Sequence, residues 1–105
     1  MAQIPAKIVE IIKRFVENAS KDNISISEVI LFGSYAKGTN HEWSDIDIAV
    51  VSKDFEGVSF FDNQKLTNAM LKTSIDIETH PYRPEDFTLE NPFVEEILKY
   101  GIRII

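Results

Sequence analysis

Two aspartates occupy alternate positions in an apolar segment near the middle of the chain, residues 45–51. Successive side chains of a β-strand point to opposite faces, so Asp45 and Asp47 would share one face while the isoleucines between and after them point into a core. Aspartate is uncommon in strands, and two like charges on one face repel unless a cation or a raised pKa relieves them. An ordinary solvated strand face is the alternative. The spacing favours a cation site.

A second segment, residues 74–79, repeats this alternation of apolar and acidic side chains. Its isoleucines, Ile75 and Ile77, would point into the core. Asp76 and Glu78 would point outward, and if the two acidic strands are neighbours, one of them lies opposite the aspartate pair. Three carboxylates around one point, with room for water and phosphates, are typical of a Mg²⁺ site. Zinc is disfavoured because the chain has no cysteine and only two histidines.

A glycine-serine pair precedes the first acidic strand. Gly33 would let a ligand approach the backbone closely, and a short helix over residues 34–37 would offer free amide groups to a phosphate. The Ser34 hydroxyl adds a further donor. A plain helix N-cap is the alternative for the pair taken alone. The acidic strand that follows favours phosphate binding, since Mg²⁺ commonly binds substrate phosphates together with one or two carboxylates.

The glycine-serine and acidic motifs together resemble those of the minimal nucleotidyltransferases, small catalytic domains of the DNA polymerase beta superfamily. The residues that carry this resemblance, within residues 29–78, are Gly33, Ser34, Asp45, Asp47 and Asp76. The resemblance implies that Asp45 and Asp47 hold the metal that grips the nucleotide phosphates. It makes Asp76 the third metal ligand, which also helps to deprotonate the attacking hydroxyl. Gly33 and Ser34 would contact the β- and γ-phosphates.

Two positions after the turn complete the implied nucleotide-binding set. Many relatives carry arginine after the glycine-serine pair, whereas this chain has Tyr35, and Lys37 is the nearest cation. The family position favours Asp76 over its rival Glu78 as the third carboxylate. Nucleotidyl transfer in such enzymes uses two Mg²⁺ ions and a nucleoside triphosphate, here expected to be ATP.

The resemblance implies an enzyme that moves a nucleoside monophosphate, expected to be AMP, from a nucleoside triphosphate to a hydroxyl group. Stand-alone domains of this kind resemble the antitoxins of HEPN/MNT modules, so the acceptor would be a tyrosine of a HEPN-type toxin. Two alternatives stay open. The chain could neutralise its partner by occlusion without catalysis, or it could modify a small molecule of the aminoglycoside type.

The chain has 105 residues and a formal net charge of −6, from 17 acidic and 11 basic residues. This length predicts one domain spanning residues 1–105. Net negative charge and scattered basic residues disfavour direct nucleic-acid binding, but they suit a basic protein partner. Since the sequence shows no signal-peptide or membrane-spanning pattern, we expect a cytoplasmic protein without a membrane partner. Homo- or hetero-oligomerisation is left open.

Hydrophobic periodicity and turn residues predict the elements that position these groups. Together with the resemblance they predict an α/β (α+β) fold, a single small nucleotidyltransferase domain with a mixed β-sheet flanked by helices. The predicted helices cover residues 4–19, 34–37, 59–72 and the segment from Asn91-Pro92 to Gly101. Ser59 and Asp62 would form a capping box for the third helix. The predicted strands cover residues 29–32, 45–51 and 74–79, and the tail from Ile102 to Ile105 would be an edge strand or a partner contact.

Three further side chains near the acidic segments could contact a substrate. His41 and His80 lack the spacing of metal ligands, and we expect both to be loop residues. Trp43 could stack on a nucleobase or cover the connection before the first acidic strand, and the structural role is favoured.

Overall fold

The computed structural model describes residues 4–105, in which four strands form one mixed sheet of order β3-β2-β1-β4. In chain order the elements are α1 (Ala6–Lys21), β1 (Ile26–Phe32), α2 (Ser34–Lys37), β2 (Ile46–Ser52), α3 (Ser59–Thr73), β3 (Ile77–Tyr82), a 3₁₀ turn (Pro84–Asp86), α4 (Pro92–Tyr100) and β4 (Ile102–Arg103). The predicted α+β fold, a mixed sheet flanked by helices, is confirmed. Within residues 4–105, no helix has both the length and the apolar character needed to cross a bilayer.

The main core lies between one face of the sheet and the helices α1 and α3. β2 runs antiparallel to β1 and parallel to β3, and its alternating isoleucines, Ile46 and Ile48, are buried as predicted. α1 contributes Ile12 and Phe15, which are fully buried. A one-residue slip of β2 would move its charged side chain into this core, so the packing fixes which face Asp47 occupies.

The opposite face of the sheet packs against α4 through a smaller cluster of Ile30, Ala49 and Ile97. Ala49 is fully buried, so the middle of β2 is covered on both faces. Asp47 precedes Ala49 by two residues and therefore shares its face, but its side chain is 23% exposed. The accessible part of this face lies at the start of β2.

β3 begins later than predicted, at Ile77 instead of residue 74. The reason is a turn after α3, in which the Asp76 amide donates a hydrogen bond of 3.2 Å to the Ser74 hydroxyl. Serine side chains commonly form such turns in competition with regular pairing. Ile75 is consequently 79% exposed, and its predicted core position is wrong.

β3 also runs further than predicted, through His80 and Pro81 to Tyr82. Proline lacks an amide donor, but β3 is an edge strand, where one side of the backbone needs no partner. The prediction that His80 is a loop residue is therefore wrong. His41 does lie in a loop, and the tail does form an edge strand, because Ile102 and Arg103 pair antiparallel with β1.

Asp62 has a different role from the predicted helix cap. The residue that precedes α3 is Val58, which makes no side-chain capping bond, and the predicted capping box is wrong. Asp62 is instead 1% exposed, and its two carboxylate oxygens accept hydrogen bonds from the amides of Glu56 at 2.8 Å and Gly57 at 2.9 Å. The buried carboxylate thus holds the loop between β2 and α3 in place.

Asp62→Ala is expected to lower the free energy of unfolding by about 2–3 kcal/mol, because it removes a charged acceptor and leaves two amides unpaired. Ser59→Ala is the matched control, since no side-chain hydrogen bond of Ser59 occurs within residues 4–105; it is expected to change stability by less than about 0.5 kcal/mol. Urea denaturation of both variants measures the difference. Equal losses of stability in the two variants would indicate that Ser59 and Asp62 act together as the predicted capping box.

Candidate active site

The glycine-serine turn connects β1 to α2 and packs directly against β2. Gly33 adopts φ 73° and ψ −148°, a backbone conformation open essentially to glycine alone. A Cβ atom at this position would meet the side chain of Asp47, whose Cγ atom would lie 3.3 Å away. The turn and the second aspartate of the motif are therefore in contact, with no side chain between them.

The parallel pairing of β2 with β3 builds a cluster of three titratable side chains, Asp47, Glu78 and His80. Asp47 is the register partner of Glu78, and His80 follows two residues later on the same face. One donor atom from each of the three lies within 4.8 Å of the others. His80 Nε2 is 3.8 Å from Asp47 Oδ1. The cluster lies on the face of the sheet that α4 partly covers.

Burial and neighbouring charge raise the pKa of Asp47 above its ordinary value. Partial burial is the largest cause, followed by the hydrogen bond that its protonated form shares with Glu78 and by repulsion from the Glu78 carboxylate. Asp45 adds a smaller repulsion, and His80 acts in the opposite direction. Two carboxylates this close favour a shared proton or a bound cation over two free charges.

His80 is a member of the cluster that the sequence analysis missed. Its ring packs edge-on against Phe32, with ring centroids 4.9 Å apart, and lies at a tilt to Phe93, with ring centroids 6.0 Å apart. Among residues 4–105, His80 Nε2 is a buried side-chain nitrogen without a hydrogen-bond partner. The available signal was the alternation of residues 76, 78 and 80, which continues past Glu78 if Pro81 is allowed in an edge strand.

The structure does not bring the other predicted carboxylates into this cluster. Asp45 is exposed immediately before β2, close enough to affect the pKa of Asp47. Asp76 is exposed before β3, where its carbonyl oxygen accepts a hydrogen bond of 2.8 Å from the Ile46 amide. Its side chain lines a separate cavity beside α1. Glu78, and not Asp76, therefore lies opposite Asp47.

The remaining predicted nucleotide-binding residues lie on two sides of α2. Tyr35 packs against the main core and lines the cavity beside α1. Lys37 is exposed at the edge of an apolar cavity of about 230 Å³, between the turn at Gly33 and α4. Trp43, in the loop before β2, is 82% exposed, so a covering role for this side chain is wrong.

The donor set of the cluster fits a divalent cation. Two carboxylates and an imidazole nitrogen converge from adjacent strands, and burial together with the neighbouring Glu78 raises the pKa of Asp47. Carboxylate oxygens suit Mg²⁺ and Mn²⁺, and imidazole suits first-row transition metals. Asp47, Glu78 and His80 are the residues that would hold such an ion.

Comparison with known proteins indicates the same family as the sequence motifs do. Residues 8–104 match the family described as nucleotidyltransferase domain. A protein of Methanocaldococcus jannaschii, named as a protein adenylyltransferase, is 33% identical over 103 residues, which cover 93% of this chain and 99% of that protein. The protein adenylyltransferase MntA of Shewanella oneidensis is 57% identical over 35 residues, 32% of this chain and 25% of that protein.

A crystal structure of a toxin-antitoxin with AMP-PNP is similar in fold, with a TM-score of 0.62 and 24% identity over 92% of this chain and 72% of that chain. At this identity the likeness concerns the fold alone. The family match, in contrast, covers nearly the whole chain, and the predicted resemblance to minimal nucleotidyltransferases is confirmed. The turn at Gly33, the cluster around Asp47 and these similarities together show that the chain belongs to the nucleotidyltransferase domain family.

Proposed function

We propose that this protein is a Mg²⁺-dependent adenylyltransferase that transfers AMP from ATP to a tyrosine hydroxyl of a HEPN-type toxin and thereby acts as its antitoxin. The observation that carries the proposal is the direct contact between the turn at Gly33 and Asp47, which in turn lies opposite Glu78. A phosphate-binding turn and a cation-binding pair of carboxylates must be adjacent for a nucleotide and its metal to bind together.

The turn would hold the triphosphate. The absence of a side chain at Gly33 lets the turn lie directly against Asp47, so its backbone amides would reach the β- and γ-phosphates of a nucleotide whose metal Asp47 holds. The Ser34 hydroxyl would donate a hydrogen bond to a phosphate oxygen. Lys37, exposed one turn later, would place a positive charge near the leaving phosphates. Tyr35 would support α2 through its packing against the core.

The carboxylates would hold the cations and accept the proton. Asp47 and Glu78 would bind from the two strands. Asp45, exposed immediately before β2 and outside the cluster, would contribute its negative charge from nearby. Bound Mg²⁺ would supply stabilisation of the negative charge that develops on the phosphate oxygens. The tyrosine oxygen forms a bond to the α-phosphorus, the bond from that phosphorus to the bridging oxygen breaks, and pyrophosphate leaves. Glu78 would take the hydroxyl proton, because it is the exposed carboxylate beside Asp47.

Three further observations support the choice of acceptor. The Methanocaldococcus relative, which matches along nearly its full length, is named as a protein adenylyltransferase. The protein named MntA is 57% identical over 35 residues, and the fold is similar to that of a toxin-antitoxin protein. The net charge of −6 suits a basic, RNA-cutting partner. The proposals that the partner is a HEPN-type toxin and that the acceptor is a tyrosine rest on the family resemblance. We further propose that the reaction takes place in the cytoplasm.

The experiment is a transfer assay with the protein encoded beside this chain as acceptor. ATP labelled on the α-phosphate and Mg²⁺ should give label on the partner, and mass spectrometry should locate AMP on a tyrosine. ATP labelled on the γ-phosphate serves as the control, because adenylyl transfer leaves that label in pyrophosphate. Neutralisation of the partner with no AMP attached would contradict the proposal and indicate occlusion.

Glu78→Gln and Asp76→Asn separate the two candidates for the third carboxylate. Glu78→Gln is expected to lower the transfer rate at least tenfold, about 1.4 kcal/mol of transition-state stabilisation, because it removes a charge from the cluster. Asp76→Asn leaves the cluster intact and is expected to keep a rate within about threefold of the original, less than 1 kcal/mol. Initial rates at saturating ATP measure both. A larger loss of transfer rate in Asp76→Asn than in Glu78→Gln would identify Asp76 as the third carboxylate.

A further inference from the structure

The buried nitrogen of His80 carries an inference that rests on the proposed function and goes beyond it. We propose that His80 Nε2 is a direct ligand of the divalent cation at Asp47 and Glu78, and that this nitrogen shifts the preference of the site from Mg²⁺ toward Mn²⁺. The minimal nucleotidyltransferase resemblance implies carboxylate ligands only. The cluster in this structure has a mixed set of oxygen and nitrogen donors.

The register of the parallel strands places the nitrogen where a ligand must be. Glu78 pairs with Asp47, and His80 pairs with Ala49, two residues further along the same face of the two strands. Donor atoms of all three groups lie within 4.8 Å of one another. An ion of the first transition row bonds to oxygen and nitrogen at somewhat more than 2 Å, so donors separated by about 3–4.5 Å can share it.

The surroundings of the ring fix its direction. Phe32 lies edge-on to the imidazole at 4.9 Å, and Phe93 from α4 lies at 6.0 Å. These contacts leave Nε2 pointing toward Asp47, with 3.8 Å between Nε2 and Oδ1. That separation is too long for a hydrogen bond between the two groups.

The nitrogen, although itself buried, therefore has no hydrogen-bond partner within residues 4–105, and its 3.8 Å contact with the Asp47 carboxylate is at ion-pair distance only. Buried polar atoms are nearly always paired, and an unpaired one costs about 1–3 kcal/mol. A cation held by the two carboxylates would satisfy the nitrogen and offset the repulsion between the facing carboxylates of Asp47 and Glu78. One bound cation thus accounts for both the unpaired nitrogen and the two facing carboxylates.

The chemistry of the donor predicts the metal preference. Mg²⁺ prefers oxygen ligands and near-octahedral geometry, whereas imidazole binds first-row transition metals well. Removal of the imidazole is therefore expected to weaken Mn²⁺ binding by about 10- to 100-fold, comparable to the loss when other groups that shape a metal site are removed. Mg²⁺ binding should change much less.

The test uses the whole chain and Mn²⁺ as the probe. Pulsed electron paramagnetic resonance of Mn²⁺ bound to ¹⁵N-labelled protein should show a coupling from a ligating ¹⁵N nucleus, which requires no substitution. His80→Gln should abolish this coupling and weaken Mn²⁺ binding measured by titration. His41→Gln is the matched control, because His41 is the other histidine and lies in an exposed loop; it should retain both.

The outcomes separate this inference from the proposed function. Mn²⁺ that binds with AMP transfer intact but without ¹⁵N coupling would overturn the ligand role of His80 and leave the transferase standing. A coupling that persists in His80→Gln would also overturn it. If the protein bound neither Mn²⁺ nor Mg²⁺ and transferred no AMP, both proposals would fail together.

Discussion

Asp47→Asn is expected to lower the rate of AMP transfer by about 10²- to 10³-fold, the effect of losing roughly 3–4 kcal/mol of transition-state stabilisation. The asparagine keeps the shape of the side chain beside Gly33 but removes the charge that faces Glu78 and His80. Transfer of α-labelled AMP to the partner measures the loss. A variant that retained more than about a tenth of the rate would exclude Asp47 from metal binding, because one tenfold step corresponds to only about 1.4 kcal/mol.

The same variant is expected to be more stable than the original protein when no metal is bound. The pKa of Asp47 is raised in the folded state, so folding favours the neutral form, and ionisation at neutral pH costs stability. Stability from this group is fully present below the unfolded pKa and is lost as pH rises through the folded pKa. The stability difference between Asp47→Asn and the original should therefore grow as pH rises from acid toward neutral.

Thermal unfolding at several pH values in the presence of a chelator tests this pH dependence. The stability curve of the original protein is subtracted from that of Asp47→Asn, which isolates the contribution of the Asp47 carboxyl group. Addition of Mg²⁺ should reverse the order, because the ion binds the folded original protein and stabilises it by mass action. A difference that shrinks with rising pH would mean that Asp47 gains a favourable partner in the folded state, contrary to its position beside Glu78. The expected combination in Asp47→Asn, higher stability without metal and lower activity, is common where a site is built from mutually repelling groups.

Gly33→Ala is expected to lower the transfer rate by about 10²-fold, the loss associated with a displacement of about 1 Å in a catalytic group. The added Cβ would collide with the Asp47 carboxylate, and the backbone conformation at φ 73° and ψ −148° is strained for alanine. That strain should also cost about 1–3 kcal/mol of stability. Steady-state rates and urea denaturation measure the two effects separately.

Gly38→Ala is the matched control for backbone strain. Gly38 ends α2 with φ 74° and ψ 17°, so alanine there also adopts a left-handed conformation, at a cost of about 1–2 kcal/mol. Gly38 lies at the opposite end of α2 from Gly33, so this substitution leaves the contact between Gly33 and Asp47 in place. The control should therefore lose stability and keep activity. Equal activity losses in both variants would show that backbone strain, and not the contact between Gly33 and Asp47, lowers the transfer rate.

The order of the motifs and the alternation of residues could be read from the sequence because both depend on neighbours along the chain. The glycine-serine turn, the strand after it and the burial of Ile46 and Ile48 were all predicted. Local patterns also misled. The spacing of Ser59 and Asp62 suggested a helix cap, but the buried Asp62 binds loop amides that precede it.

Which acidic residue of the second segment lies opposite Asp47 depended on a contact between distant parts of the chain. Asp76 and Glu78 have the same alternation, so the sequence alone offers either of them to the aspartate pair. The choice is made by the register of β3 against β2, which pairs Glu78 with Asp47. The turn after α3, in which the Asp76 amide donates a hydrogen bond to the Ser74 hydroxyl, leads the chain into β3 at Ile77.

The sequence by itself therefore determined the family, the fold class and the face on which the first acidic strand carries its charges. Only the tertiary structure decided that Glu78 lies opposite Asp47 and that His80, held by Phe32 and Phe93, joins them. The physical reason is that alternation has a period of two and cannot say where a strand starts. That starting point is fixed by long-range packing of α3 and β3 against the rest of the sheet.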